Sequence, residues 1–224
     1  MILLFMRGIY MLKRRLCTIL CAFFVLTGCS SKTAVKSQVS HYAVLTKKRK
    51  SDLLKMKEHY DLIVIRSKGL TKEDMKVLRK KSKQIYFYMS ALKPHHKAES
   101  LKADGLFISK INNNGTLEKL ISEAHDHKLK VIVNNAYDYR KTVYKNSKYI
   151  TGVNQTSMMT KKQGKTYVKQ DTEVSSKLKD YLSKCQDKGI ATYLVEYTKN
   201  TDWRAAIKAY CKKHHITYYN PTIK

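Results

Sequence analysis

The chain reads as a compact (β/α)8 barrel in which some helices are short or missing. Three observations predict it. Eight short runs are rich in β-branched and aromatic residues, most are separated by stretches with helical 3.6-residue periodicity, and no Pro/Gly-rich break divides the roughly 180 residues that carry the pattern. Strands joined through helices pair in parallel, and eight such units close a barrel. A doubly wound open sheet is the alternative arrangement for the same pattern.

The strand runs are HYAVLT (41–46), DLIVI (61–65), QIYFYMSA (84–91), GLFIS (105–109), KVIVNN (130–135), YITGVN (149–154), ATYLVEY (191–197) and ITYYN (216–220). The helical stretches are SDLLKMKEH, TKEDMKVLRKKS, TLEKLISEAHDHK, TEVSSKLKDYLSKCQDKG and TDWRAAIKAYCKKHH, leaving thin or absent helices after the third and fifth strands. Thr71 with Asp74, Thr116, and Thr201 or Asp202 offer N-caps, and Gly189 offers a C-terminal stop. A barrel places function at the C-terminal strand ends: Thr46, Arg66, Ser90 to Lys93, Ser109, Asn134-Asn135, Asn154-Gln155, Glu196-Tyr197 and Asn220. Alternation puts Gly105, Phe107 and Ser109 on one face and Leu106 and Ile108 on the other.

Ahead of this domain (residues 41–224), Lys13, Arg14 and Arg15 precede an apolar run from Leu16 to Leu26 that is too short to span a membrane, followed by Leu26-Thr27-Gly28-Cys29. This pattern resembles a bacterial lipobox, which implies a signal peptide over 1–28, lipidation at Cys29 and a polar tether through residue 40. An ordinary signal peptide is the plain alternative, and Met11 is a second candidate start. The expected location is extracytoplasmic, on the bacterial membrane through the lipid anchor. Lys plus Arg number 45 against 17 Asp plus Glu, and residues 1–29 hold four of the bases and no acid, leaving 41 against 17. Such a field favours anionic partners. For an exported chain these are cell-wall polymers or lipid headgroups, not nucleic acid. Cys185 and Cys211 fall on two helices and can be free thiols or a bridge. No Cys-x-x-Cys or Cys/His cluster is present, so neither a metal nor another cofactor is expected. The adjacent pairs His95-His96 and His214-His215 read as surface loop residues.

The segments YDLIVIRSKGLTKEDMKVLRKKSKQIYFYMSALK, ADGLFISKI, KVIVNNAYDY, ITGVNQTSM and TYLVEYT resemble, in order and spacing, the endo-α-1,4-polygalactosaminidase-like TIM barrels of glycoside hydrolase family 114. The resemblance covers nearly all of residues 41–224. Tyr60-Asp61, Tyr88, Ser90, Asp104-Gly105, Phe107, Asn134, Gly152-Val153 and Glu196-Tyr197 match the family's scaffold positions. Its carboxylates do not carry over: Arg66, Lys93, Ser109 and Gln155 stand in their places, the last two where the family's catalytic Asp and Glu would be.

Glycoside hydrolysis ordinarily uses two carboxyls, one to donate a proton and one as nucleophile or base. An amide does neither, although Gln155 still offers a donor and an acceptor to sugar hydroxyls. Glu196 is the surviving acid of the matched motifs, as a lone acid/base, a sugar ligand, or the partner of Arg66 or Lys93 in an ion pair. The sequence thus leads to a lipoprotein whose degenerate glycosidase barrel binds an anionic or neutral envelope glycan through Arg66, Tyr88, Lys93, Asn134, Gln155, Glu196 and Tyr197. Two alternatives stay open: an active hydrolase using Glu196 with Asp138 or Glu99, and an envelope interaction protein without sugar affinity.

Overall fold

The computed structural model describes residues 39–91 and 98–222. The leader, Cys29, most of the tether, Lys93 and His95-His96 lie outside the described residues. In chain order the strands are β1 (Tyr42–Val44), β2 (Tyr60–Ile65), β3 (Ser82–Ser90), β4 (Gly105–Ser109), β5 (Lys130–Asn134), β6 (Gly152–Thr156), β7 (Thr160–Gln163), β8 (Thr166–Lys169), β9 (Ala191–Val195) and β10 (Thr217–Tyr219). The α-helices are α1 (Lys50–Leu54), α2 (Lys72–Arg79), α3 (Asn114–Asp126), α4 (Arg140–Lys145), α5 (Thr172–Asp187) and α6 (Thr201–Lys213).

One parallel sheet runs β1-β2-β3-β4-β5-β6-β9-β10. Its last strand returns beside its first: Thr217 Oγ1 donates to the Val39 carbonyl at 2.8 Å, and the Tyr42 and Tyr219 rings lie 6.4 Å apart. The sheet is therefore a nearly closed eight-stranded barrel, as the sequence predicts. The fifth connection holds only α4 between two 3-10 turns, Tyr137–Tyr139 and Ser147–Tyr149. The first helix is also shorter than its periodic stretch, ending at Leu54.

Local chemistry sets the ends of the elements. At α2 the Thr71 side chain accepts from the Asp74 amide while Asp74 accepts from the Thr71 amide, a full capping box. Elsewhere the caps lie upstream of the expected threonines: Asn113 accepts from the Thr116 amide at 2.8 Å, and Asn200 from the Trp203 amide at 2.9 Å. Asparagine wins at both because its carbonyl reaches two or three residues ahead from an extended backbone. Gly189 follows α5 at φ +76°, a conformation that side chains with a Cβ disfavour.

The alternation along each strand divides the core in two. Outward residues such as Ile63, Ile85, Ile108, Val133 and Leu194 pack beneath the helices with Leu78, Leu117 and Ile207. Inward residues, among them Tyr42, Leu62, Val64, Tyr86, Phe107, Ile132 and Tyr193, fill the lumen. Two inward glycines make room for the large rings: a Cβ on Gly105 would lie 2.5 Å from the Tyr86 ring, and one on Gly152 would lie 2.7 Å from Tyr193. The lower lumen is thus a packed core, which leaves the C-terminal mouth as the end of the barrel at which to look for a site.

Asp61 fastens the entry to β1 at the opposite end. Its carboxylate accepts from the Ser40 amide at 2.9 Å, the Ser40 hydroxyl at 2.7 Å and the His41 amide at 3.0 Å, and it meets Lys83 Nζ at 2.8 Å. Lys83 first, then Ser40 and His41, hold this carboxyl well below the usual carboxylate range. A depressed folded-state value contributes stability that is present above the unfolded value of about 4 and is lost as pH falls below it. Asp61→Asn is accordingly expected to cost roughly 1–2 kcal/mol at pH 7. In thermal melts from pH 6 to 2.5, the gap from wild type should shrink towards the acid end.

Candidate functional site

Strand register brings the inward polar residues into one layer above the aromatic core. Ser109 stands opposite Ser90, Asn134 opposite Asn154, and Thr156 opposite Val195. A directional chain of hydrogen bonds crosses the layer. Tyr42 O–H donates to Asn154 Oδ1 at 3.2 Å, Asn154 Nδ2 donates to Asn134 Oδ1 at 2.7 Å, and Asn134 Nδ2 donates to Ser109 Oγ at 3.0 Å. Thr156 Oγ1 also accepts from Asn154 Nδ2, at 3.4 Å. Asn154 is buried, and burial pushes the Tyr42 phenol well above its ordinary value, so the ring hydroxyl keeps its proton and serves as the fixed donor at the foot of the chain.

Aromatic faces and one cation flank this layer. Arg66 is exposed, donates from Nε to the Thr46 carbonyl at 3.0 Å, and lies with its guanidinium 5.0 Å from the Tyr88 ring centre. Tyr88 stacks in turn on Phe107. Across the mouth, Tyr197 stacks on Tyr167 at 5.1 Å and 11° between planes. Tyr167 belongs to the β7–β8 hairpin, which the sequence reading does not anticipate. Its strands, TKKQ and TYVK, are short and polar, and the only local signal is Gly164 at φ +60° in the two-residue turn.

Of the residues singled out from sequence, Arg66, Tyr88, Ser109, Asn134 and Tyr197 are brought together at the mouth. Gln155 and Glu196 are not. Because Asn154 and Val195 face inward, the next residue on each strand faces the helices. Gln155 is buried there and donates from Nε2 to the Thr156 carbonyl. The position facing the lumen is Thr156, opposite Val195. Applying to β6 the alternation already applied to β4 would have found Asn154 and Thr156.

Glu196 is fully buried behind the sheet and clasps the base of the hairpin, accepting from the Met159 amide at 2.6 Å, the Thr160 amide at 3.0 Å and the Thr160 hydroxyl. The expected ion pair with Arg66 is absent, since Arg66 engages Thr46 and Tyr88 instead. Glu99 pairs with His127 at 3.1 Å, lining a small hollow with Leu106 and Leu120 on the outer side of the sheet. Asp138 is exposed on the turn after β5. Cys185 and Cys211 are both buried free thiols, each pushed up to about 12 by burial. Among the described residues no group of three His, Cys, Asp or Glu is placed to hold a metal ion.

The fold is similar to that of the glycoside hydrolase domain of PelA from Pseudomonas aeruginosa, with a TM-score of 0.62 at 12% identity over 82% of this chain and 96% of that one. A single-residue variant of the same domain gives 0.61 at 12% identity, with the same coverage. The citrate synthase SbnG gives 0.55 at 11% identity, over 85% of this chain and 90% of that one. No protein-family model and no curated protein matches the sequence. A hydrolase and a synthase on one barrel illustrate that this architecture hosts unrelated chemistries, so the function must be argued from the mouth itself.

Proposed function

We propose that this chain is a cell-surface lipoprotein, tethered through Cys29, whose family 114-like barrel binds an envelope glycan at its mouth without hydrolysing it. The observation that carries the reading is the composition of the inward layer. Among the described residues its members at the strand ends include Arg66, Tyr88, Ser90, Ser109, Asn134, Asn154, Thr156 and Tyr197, all neutral or basic. Neutral amides and hydroxyls suit sugar hydroxyls as donors and acceptors, and the Tyr faces offer stacking surfaces. Cleavage would require two carboxyls flanking a glycosidic oxygen, and Glu196 and Glu99 lie behind the sheet. The fold likeness to a glycoside hydrolase domain supports a carbohydrate ligand, and Arg66 with the net charge favours a neutral or anionic glycan over a cationic one.

The test is to incubate the protein with amino-sugar polymers and with wall carrying anionic glycopolymers, then measure reducing ends and retained protein. Retention at low salt without new reducing ends is expected. It should weaken as ionic strength rises, because the screening length falls from about 10 Å at 0.1 M salt to about 3 Å at 1 M. New reducing ends would restore the hydrolase, with Asp138 the first residue to replace. Absence of retention on every glycan would leave the envelope interaction protein.

A further inference from the structure

A second concavity lies outside the barrel, between the first turns of α5, the start of α6 and the β7–β8 hairpin. Its volume is about 490 Å³, within the range of small-ligand sites. The floor is apolar, formed by Met159 and the buried Ile207. One wall is Trp203, the only tryptophan of the chain, which is half-buried. Lys169 from β8 and Lys179 and Ser176 from α5 also line it, so two cationic side chains and a hydroxyl-bearing one border the groove.

The charges of this groove are uncompensated from within. Lys169 Nζ sits 5.7 Å from the Trp203 ring centre and Lys179 Nζ 4.9 Å from the Tyr210 ring centre. Among the described residues neither is paired with a carboxylate. The nearest acids in sequence are engaged elsewhere, Asp180 by Lys184 at 2.8 Å, Asp171 by Lys161 at 2.6 Å and Glu173 by Lys177. The groove wall is also held in place: Glu196 fixes Met159 and Thr160, while Gln170 donates to the Ser157 carbonyl at 3.0 Å and accepts from the Asp171 amide. An aromatic plane, two cations without carboxylate partners and a hydroxyl around an apolar floor match a ring with C–H faces, hydroxyl edges and a negative group.

We propose that this groove is a second saccharide subsite and takes a sugar residue bearing an anionic group, a carboxylate or a phosphate. The hairpin links it to the mouth. Tyr167 and Lys169 are two residues apart on β8 and so share a face, the first on Tyr197 and the second over Trp203, separated by about 7 Å along the strand. One glycan chain can therefore pass from mouth to groove across the hairpin. The saccharide class extends the reading of the mouth, whereas the charge requirement rests on the groove alone.

Trp203 is its own reporter, because no other tryptophan contributes emission. The full chain is titrated with oligogalacturonate, with glucose 6-phosphate, with a neutral maltohexaose and with inorganic phosphate, following Trp203 fluorescence. At least one of the two anionic sugars should give a saturable change, with maltohexaose weaker by tenfold or more, as loss of two charge contacts implies at roughly 1 kcal/mol each or somewhat less. K169A/K179A should lose about the same tenfold. Asn154→Ala, which alters only the mouth, should leave Trp203 responding to glucose 6-phosphate. Equal affinity for maltohexaose, the same response to phosphate alone, or an unchanged K169A/K179A would each overturn the proposal. If wall retention fails while the Trp203 titration persists, the mouth reading falls and the groove stands.

Discussion

Replacing Glu196 with alanine is expected to lower the melting temperature by about 10 °C, although the residue touches no part of the lumen. The side chain accepts three hydrogen bonds in a fully buried setting, two from the Met159 and Thr160 amides and one from the Thr160 hydroxyl. Removing it strands two amides that cannot reorient, at roughly 1–3 kcal/mol each, for a total of about 3–5 kcal/mol with the cavity included. In a domain of this length each kcal/mol corresponds to about 2–4 °C. Glu196→Gln keeps the volume and one acceptor but turns an amide N–H towards a donor, so it should fall between wild type and the alanine variant. A shift below about 2 °C for Glu196→Ala would show that the hairpin base is held by other contacts.

The same residue has a pH signature of opposite sign to that of Asp61. Burial pushes the Glu196 carboxyl up, against the bonds from Thr160 and Met159 that draw it down. With the folded value above the unfolded one, the favourable contribution is complete below the unfolded value of about 4.3 and is lost as pH rises through the raised value. Wild type should therefore gain on Glu196→Gln as the buffer is acidified from pH 7 to 4, while over the acid range it loses its margin over Asp61→Asn.

The barrel was legible because its strands are pure in pattern. GLFIS and KVIVN carry unbroken apolar centres, Leu-Phe-Ile and Val-Ile-Val, as strands packed on both faces must, and the expected bounds lie within one residue of the observed ends. What remained hidden was the face of each polar residue near a strand end. One residue of register separates Gln155 from Thr156 and Glu196 from Tyr197, and it moves a side chain from helix interface to lumen. The family resemblance points to Gln155 and Glu196 as strand-end residues, whereas the buried carboxylate is taken up by the backbone of a hairpin whose strands are too polar and short to announce themselves. The asparagine caps were missed for a related reason: Asn113 and Asn200 sit in polar stretches where several residues could cap, and only backbone conformation selects among them.

Asn154 offers the sharpest test of the mouth, because it is buried and joins the Tyr42 hydroxyl to the Asn134 amide. Asn154→Ala deprives the buried Tyr42 hydroxyl of its acceptor and Asn134 of its donor, at an expected cost of about 2–4 kcal/mol by thermal or urea unfolding. Glycan retention should fall about tenfold or more, since Asn134 and Ser109 lose the bond that orients them. Asn154→Asp keeps the acceptor for Tyr42 and removes the donor to Asn134. A carboxylate still accepts from Tyr42 but cannot donate to Asn134 Oδ1, so the Asn134 amide must turn its N–H towards the new acceptor and its carbonyl towards Ser109, reversing the remaining bond. The retained Tyr42 bond is offset by the cost of burying a carboxylate, so stability at pH 7 should stay near that of Asn154→Ala, while affinity stays low and an anionic glycan suffers more than a neutral one of equal length. If Asn154→Asp instead binds as wild type does, the donor direction of the chain is irrelevant to recognition, and the glycan must contact the rim of Arg66, Tyr88 and Tyr197 alone.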